Sequence, residues 1–385
     1  MTSISHRFPL AALAAICSFV QAQEDPRSGS PRLSSFPISY EAIPVFRNDT
    51  TKAYVTIHYR LREDFFIILR NTENPADSPF LGRGELAVEL FNESGSSVAR
   101  EIRQIRLRGK SIPTENQEFS DLQGVISLGV PEGTYTVVFN IEDRQSERKF
   151  LDRRKTVTTR KPLVSGLDLS LPIFAHLAGT GESYEALNRG TDILFGNAGG
   201  ALFSVCGMSG QPSIVLAYKL TNRPDAEGLE PQEFSGSNFI VTPGIPIPAE
   251  RKENEETSAS PILYHIEPAA ERWKTLFVLL PFEKLLPGQS KLWIQITSGA
   301  QKKDLTIDFR VHWFSRPFSL SDFDLAVDAL QHIAKDEEIS NLRTLSASHN
   351  AKAFFDFWRK KDPDTLTAYN ELLAEYYRRV DTAIR

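Results

Sequence analysis

Apolar and polar residues alternate along much of the first 316 positions of the chain. In residues 53–61 the apolar face consists of Ala53, Val55, Ile57, Tyr59 and Leu61, and residues 304–313 show the same alternation most cleanly. A two-residue period predicts β-strands with one buried face. His58 and His312 fall on the polar faces of these segments, and we interpret both as solvated strand residues rather than metal ligands.

The segment VPEGTYTVVFNIEDR, residues 130–144, combines a turn at Pro131–Gly133 with an alternating strand that begins near Tyr135. A tyrosine at this place commonly braces the corner of an immunoglobulin-like sandwich. Residues 38–161 contain several such strands and no helical period. The pattern restarts after Pro162, and residues 281–296 repeat the turn followed by an alternating strand, which predicts a second sandwich.

Helical spacing replaces the alternation after Pro317. Ser319–Asp322 has the form of a helix start, and the acids Asp336–Glu338 indicate a second one. Two further helices are predicted at 351–361 and 366–385, capped at Asp364 or Thr365 and joined across Asp362-Pro363-Asp364. Their facing apolar stripes are Ala351, Phe354, Phe355 and Trp358 in one helix, and Tyr369, Leu373, Tyr376 and Val380 in the other. We expect surface ion pairs Glu375–Arg379 and Asp381–Arg385.

These patterns predict a mainly β protein with a C-terminal α-helical region. Two tandem immunoglobulin-like β-sandwich domains, 38–161 and 162–316, are followed by a helical hairpin module at 317–385. Residues 1–22 have the features of a cleaved signal peptide, with lipid anchoring at Cys17 as the alternative, and 23–37 form a flexible leader. We therefore expect a periplasmic, outer-membrane-associated or extracellular protein.

Charge and cysteine content narrow the range of functions to be considered. Removal of residues 1–22, in which Arg7 is the one charged residue, takes the formal net charge from −5 to −6, which argues against nucleic-acid binding. Cys206 is the one cysteine that remains, and we interpret it as a buried thiol rather than a nucleophile. No later segment has the length and apolarity of a membrane helix. No metal-ligand, catalytic or phosphate-binding pattern is present, so we predict no cofactor and no metal.

The segment FWRKKDPDTLTAYNELLAEYYRRV, residues 357–380, resembles the first half of the GWxTD domain of exported proteins from Bacteroidota and related bacteria. That family shows Phe-Trp, a basic pair, Asp-Pro, a short gap, Asn-Glu, Tyr-x-Arg and an alanine. The matching positions are Phe357, Trp358, Arg359, Asp362, Pro363, Asn370, Glu371, Tyr377, Arg379 and Ala383. The preceding helices and the strand SYEAIPVFRN, which begins at Ser39, also resemble the usual upstream region of the family.

In the family this segment is followed by the pentapeptide Gly-Trp-x-Thr-Asp. None of the four tryptophans, at positions 273, 293, 313 and 358, lies in such a sequence. We therefore expect the chain to carry the N-terminal half of the domain, either truncated or without the namesake element. The resemblance implies no established reaction, so the motif positions are expected to be structural or partner-binding.

The function favoured by these observations is that of an exported, non-catalytic cell-envelope protein. It would serve as a structural or protein–protein interaction module whose partner is another envelope protein. The basic residues Arg359–Lys361 and Arg378–Arg379 are candidates for contact with an acidic partner, although charged runs are usually an ordinary solvated helix surface.

Two alternatives stay open. An exported hydrolase acting on peptide or glycan would use Asp362, Asp364 and Glu371, with His349, although each acid also has a structural explanation as a turn, cap or helix-start residue. A carbohydrate-binding module would use Trp293 as an exposed platform on a sheet, unless the neighbouring helices cover it.

Overall fold

The computed structural model describes most of the chain after the predicted signal and leader, which both lie outside the described residues. Those residues are 38–73, 76, 78–109, 121–163, 165–179, 183–188, 192–207, 214–249, 261–344 and 347–384, and the side chains at 109, 121 and 347–349 are not described. Ser35–Arg385 forms a single compact unit.

Eight strands form the first sandwich: β1 (Ile38–Val45), β2 (Ala53–Arg62), β3 (Ile68–Arg70), β4 (Phe80–Phe91), β5 (Ser97–Gly109), β6 (Asp121–Val130), β7 (Gly133–Asp143) and β8 (Lys149–Thr159). One sheet has the order β1-β2-β6. In the other, β4 pairs with β3, β5 and β7, and β7 pairs with β8. The inward faces of both sheets form one apolar core. The sandwich therefore packs a three-stranded sheet on a five-stranded one, and two antiparallel sheets around a shared core are the architecture of immunoglobulin-like domains.

The corner before β7 is braced by a tyrosine, as the sequence predicts. The Tyr135 hydroxyl donates a hydrogen bond of 2.8 Å to the carbonyl oxygen of Pro131, and the Tyr135 side chain is buried. Gly133 opens the strand between these two residues. The bond ties the strand to the turn that precedes it.

Thirteen strands belong to the second sandwich: β9 (Asp168–Leu169), β10 (Ile173–Ala178), β11 (Ser183–Ala186), β12 (Ile193–Leu194), β13 (Gly199–Cys206), β14 (Ile214–Pro224), β15 (Gln232–Gly236), β16 (Phe239–Pro243), β17 (Ile245–Pro248), β18 (Leu263–Glu267), β19 (Lys274–Leu280), β20 (Gly288–Ser298) and β21 (Gln301–His312). One sheet runs β16-β19-β13-β10-β11-β18-β17, with β9 on β13, and the other β12-β21-β20-β14-β15. Their facing sides enclose a second core, and the short β12 lies parallel to β21.

Four α-helices follow the second sandwich: α1 (Phe323–Ala329), α2 (Asp336–Thr344), α3 (Ala347–Arg359) and α4 (Glu371–Ile384), and a 3₁₀ turn, Phe318–Ser321, precedes them. Further 3₁₀ turns lie at Glu63–Phe65, Phe282–Lys284 and Leu330–His332. Asp322 caps α1 by accepting bonds from two backbone amides. Within the described residues, no helix has the length and apolarity needed to cross a membrane.

The last helix begins five residues later than the periodicity predicts. Residues 366–370 instead attach to the second sandwich, because the Ala368 amide donates to the Glu283 carbonyl at 2.7 Å. The Tyr369 ring packs against Phe195 and Trp313, at centroid distances of 5.3 and 6.0 Å. These contacts hold the segment in a non-helical path, so the predicted start at Leu366 and the predicted caps at Asp364 or Thr365 are wrong.

The polar face of β2 is buried against the second sandwich rather than solvated. Thr56, His58 and Arg60 are all buried, with His58 only 2% exposed. The Arg60 guanidinium donates to the carbonyls of Asn188 at 3.1 Å and Ala186 at 3.0 Å. The interpretation of His58 as a solvated residue is therefore wrong, because the face that points away from one sandwich core is covered by another sheet.

Apolar residues from both sandwiches fill the same junction. Ile43 and Val45 of β1 pack in one cluster with Ile173, Tyr264 and Phe277 of the second sandwich. Beside it, Phe46 packs with Trp273 and with Cys206, whose thiol is buried as predicted. Burial of these apolar side chains contributes to the free energy of folding through the hydrophobic effect, and it holds the two sandwiches together.

A buried carboxylate ties the connection between the two sandwiches. Asp168, which is fully buried, accepts hydrogen bonds from the Arg160 guanidinium, one of them 2.8 Å long, and from the Leu163 amide at 2.9 Å. Burial acts to raise the pKa of Asp168, but these bonds outweigh it and hold the pKa below its usual value. Lys303 of β21 lies 3.4 Å away.

Candidate functional site in the helical region

The aromatic residues at the positions that resemble the GWxTD motif, called the motif residues below, form the core of the helical region. Trp358 is 1% exposed, and its ring lies 5.5 and 5.7 Å from those of Tyr376 and Tyr377. The Tyr377 hydroxyl donates a 2.6 Å hydrogen bond to the Ala326 carbonyl of α1. Phe357 is also buried. The predicted contact between α3 and α4 is therefore confirmed, and these motif residues hold three helices together.

Asn370 connects the end of α3 to the start of α4. Its Nδ2 donates to the Trp358 carbonyl at 2.9 Å, and its Oδ1 accepts from the Leu373 amide at 2.8 Å. The second bond is an N-cap, which satisfies one of the free amides at the start of a helix. One side chain thus ends the turn and begins the helix, and Glu371 is the first residue of α4.

Two of the proposed acid–base carboxylates, Asp362 and Asp364, lie in the turn between α3 and α4, and Glu371 lies at the start of α4. Asp362 accepts a hydrogen bond from the Asp364 amide at 3.0 Å, and Asp364 accepts one from the Leu366 amide at 2.9 Å. Pro363, between them, and Glu371 are exposed. The bonds accepted by Asp362 and Asp364 form Asx-type turns, in which the side-chain carboxylate takes the place of a backbone acceptor. The side chain of His349 is not described.

The basic residues of the motif are exposed and largely paired within the helices. Arg359 lies 3.5 Å from Asp356. Arg378 and Arg379 both contact the Glu375 carboxylate, at 2.7 and 2.6 Å, and their hydrogen bonds lower the pKa of Glu375 to about 2. The predicted Glu375–Arg379 pair is therefore confirmed, and the carboxylates of Asp356 and Glu375 offset part of the positive charge expected to face an acidic partner.

Asp381 has a role that the sequence does not reveal. The residue is buried, and its carboxylate accepts hydrogen bonds from the amides of Phe318 at 2.7 Å and Ser319 at 3.0 Å. The i,i+4 spacing to Arg385 predicts a surface pair, and the surface position is wrong because Asp381 is buried. Arg385 lies outside the described residues, so the pairing itself stays a prediction. The carboxylate instead binds the turn that leads from the second sandwich into the helices.

A cavity of about 470 Å³ lies where the helices meet the second sandwich. Its wall is mostly apolar, and the polar side chains among its described lining residues are Asp225, His312, Arg316 and Ser321. His312 is partly exposed, and its Nε2 lies 2.8 Å from the Asp192 carboxylate. The aromatic and apolar lining residues include Trp313, Phe323, Phe354, Phe355 and Leu373.

Exposed leucines are prominent near the turn that joins α3 to α4. Leu366 is 77% exposed and Leu372 is 46% exposed, on either side of the anchored Tyr369. Lys360 and Lys361 precede the turn and are exposed, with the Lys361 ammonium 4.8 Å from the Phe357 ring centroid. We refer to Lys360, Lys361, Leu366 and Leu372 as the turn surface.

Trp293, the candidate sugar platform, lies on the outward face of β20. It is partly buried, and its cross-strand neighbours are Lys219 of β14 and Thr306 of β21. The adjacent Leu292 and Ile294 point into the core and are fully buried. The predicted orientation of the Trp293 side chain is therefore confirmed, and its binding role stays a prediction.

No family model and no curated protein matches this chain. Among solved structures, a red sea bream transglutaminase aligns at 10% identity and a TM-score of 0.20, over 71% of this chain and 31% of that one. A putative membrane-anchored protein from Corynebacterium diphtheriae aligns at 8% identity and a TM-score of 0.19, over 71% and 58%. The major pilin SpaD of the same bacterium aligns at 8% identity and a TM-score of 0.15, over 64% of each chain. Scores this low do not establish a shared function.

Proposed function

We propose that this chain is an exported, non-catalytic cell-envelope protein of the GWxTD family type. The two sandwiches act as a support that holds the helical region in one orientation, and the turn surface contacts another envelope protein. The proposal rests on the signal-like N-terminus and on the resemblance of residues 357–380 to that family.

The attachment of the helical region is the observation that carries the proposal. Ala368 and Tyr369 bind the second sandwich from within the turn, while Asp381 binds the connecting turn from the last helix. Attachment at both ends restricts the motion of the helices relative to the sheets. Leu366 and Leu372, on either side of the attached Tyr369, stay exposed. Pre-organised apolar side chains of this kind lower the entropic cost of binding a partner.

Crosslinking in cells tests the proposal. The wild-type chain is compared with a Leu366→Ser/Leu372→Ser double variant and with Leu151→Ser, a matched control at a 53% exposed leucine of β8. We expect one reproducible crosslinked envelope protein with the wild type and the control, and its loss with the double variant. Equal recovery from all three, or location of the wild type in the cytoplasm, would contradict the proposal.

A further variant separates the support from the contact surface. Tyr369→Ala leaves the exposed leucines unchanged but removes the ring that packs on Phe195 and Trp313. If the fixed orientation matters, this variant is expected to fold and to lose most of the crosslinked product. Full retention of the product would show that the leucines act without the support.

A further inference from the structure

The junction between the two sandwiches contains two ionisable side chains, His58 and Glu41. Each has one buried polar atom without a hydrogen-bond partner among the described residues. The Nε2 atom of His58 lies 2.6 Å from the Tyr264 hydroxyl of β18, and its Nδ1 is buried with no hydrogen-bond partner among the described residues. The Oε2 atom of Glu41 is buried in the same way. Glu41 and His58 are directly paired in the register of β1 and β2, so they share the face that meets the second sandwich.

The surroundings of these two groups favour their neutral forms. Around His58 the charged and titratable neighbours are Arg60 on its own strand, Glu41 on β1 and Tyr264 across the junction, and Tyr264 has Arg47 beside it. Burial, assisted by Arg60, lowers the pKa of His58 to about 3. A proton on the ring would place a second positive charge beside a buried guanidinium.

Glu41 faces a different set of groups. Its charged and polar neighbours are Lys155 of β8, Asn188 and Asp192. Burial raises the pKa of Glu41 to about 8, Lys155 and Asn188 offset part of that effect, and Asp192 adds to it. Glu41 therefore enters the junction as a neutral acid, and its ionisation is unfavourable while the junction is closed.

We infer that the two sandwiches are held together most tightly in a mildly acidic window, and that the junction opens on either side of it. Protonation of His58 favours opening on the acid side, and ionisation of Glu41 favours opening on the alkaline side. Each sandwich has its own core, so separation of the two leaves both sheets of each sandwich packed. This goes beyond the proposed function, because it concerns the junction and not the turn surface.

The width of the window follows from proton linkage. The open junction returns His58 to a pKa near 6.5 and Glu41 to one near 4.5. The closed form loses stability as the pH falls from 6.5 towards 3, because only the open form binds the histidine proton. It also loses stability as the pH rises from 4.5 to 8, because only the open form releases the glutamate proton. The two slopes cancel between 4.5 and 6.5, and about tenfold more opening is expected by pH 3 or pH 8.

A thiol placed in the junction measures rare opening. Thr56 is fully buried on the junction face of β2, and Thr56→Cys is a substitution of similar size. Labelling at position 56 with dithiodipyridine is quantified by mass spectrometry, and the rate at each pH is divided by that of the urea-unfolded chain. The normalised rate is expected to be lowest between pH 4.5 and 6.5. Far-UV circular dichroism at the same pH values confirms that both sandwiches stay folded.

The labelling rate is expected to rise on both sides of the window, and we call these rises the acid limb and the alkaline limb. Two variants show which residue causes each rise. His58→Gln is expected to abolish the acid limb, and Glu41→Gln to abolish the alkaline limb and extend the acid limb up to pH 6.5. His176→Gln, at a partly exposed histidine 3.4 Å from Glu185, is the matched control and is expected to retain both limbs. A flat wild-type profile, or limbs unchanged in Glu41→Gln, overturns the inference. If His58→Gln does not fold, the wild-type and Glu41→Gln profiles decide the matter.

Discussion

Asn370 allows a sharp test of the structural role of the motif residues. Its side chain makes two bonds of different kinds, one to the Leu373 amide as an N-cap and one to the Trp358 carbonyl. Loss of an N-cap costs about 1 kcal/mol of folding free energy. Loss of a neutral hydrogen bond to a carbonyl costs about 1 kcal/mol more. Asn370→Ala is therefore expected to destabilise the protein by about 2 kcal/mol.

Two further substitutions separate the two bonds. Asn370→Ser keeps an N-cap oxygen but is too short to reach Trp358, so about half of the loss is expected. Asn370→Asp also keeps the cap oxygen, but its carboxylate offers no donor to the carbonyl, so this variant is likewise expected to lose stability despite the favourable helix dipole. The predicted order of stability is wild type, then serine and aspartate, then alanine.

Urea unfolding followed by circular dichroism provides the free energies, and hydrogen exchange locates the change in α3 and α4. Glu371→Ala is the matched control, because Glu371 is exposed and adjacent, and a change below about 0.5 kcal/mol is expected there. If Asn370→Ala is as stable as the wild type, or if Asn370→Asp is more stable, the structural account of the motif is refuted. Destabilisation by Glu371→Ala as large as that by Asn370→Ala would show that the assay does not resolve the cap.

Three other substitutions test buried hydrogen bonds, each by urea unfolding. Tyr135→Phe removes the bond to Pro131 and is expected to cost about 1 kcal/mol, and an unchanged midpoint would contradict the brace. Asp168→Asn removes the charge that binds Arg160, and a loss of about 2 kcal/mol is expected near neutral pH. Because the pKa of Asp168 is held below its usual value, the wild type should lose this advantage as the solution is acidified, whereas the variant should not. Asp381→Asn weakens the acceptor for two backbone amides and is expected to cost about 2 kcal/mol; retention of wild-type exchange rates at Ser319 would contradict it.

Local patterns predicted much of the helical region. Aromatic residues three, four and seven positions after Ala351 identify the buried side of α3, and Trp358 and Phe354 are indeed buried. The same reasoning failed for Leu366, because helical periodicity continues through residues 366–370 while the Tyr369 ring binds the second sandwich. A tertiary contact of that kind leaves no periodic signal.

In the candidate site, too, the sequence located the residues but did not reveal their tertiary contacts. The motif residues could be located from the sequence, but their structural roles could not, since Asn370 acts through a carbonyl twelve positions away. Asp381 was placed on the surface for a similar reason, as its two partners lie more than sixty positions earlier in the chain.

The sequence by itself determined the two sandwiches, the tyrosine corner and the change to helices after Pro317. Each depends on the order of apolar, polar and turn-forming residues within a short segment, and local chemistry decides those features. Only the tertiary structure decided the fate of His58. Alternation shows that a side chain points away from its own sandwich core, but whether it then meets water or a second sheet depends on how the sandwiches pack.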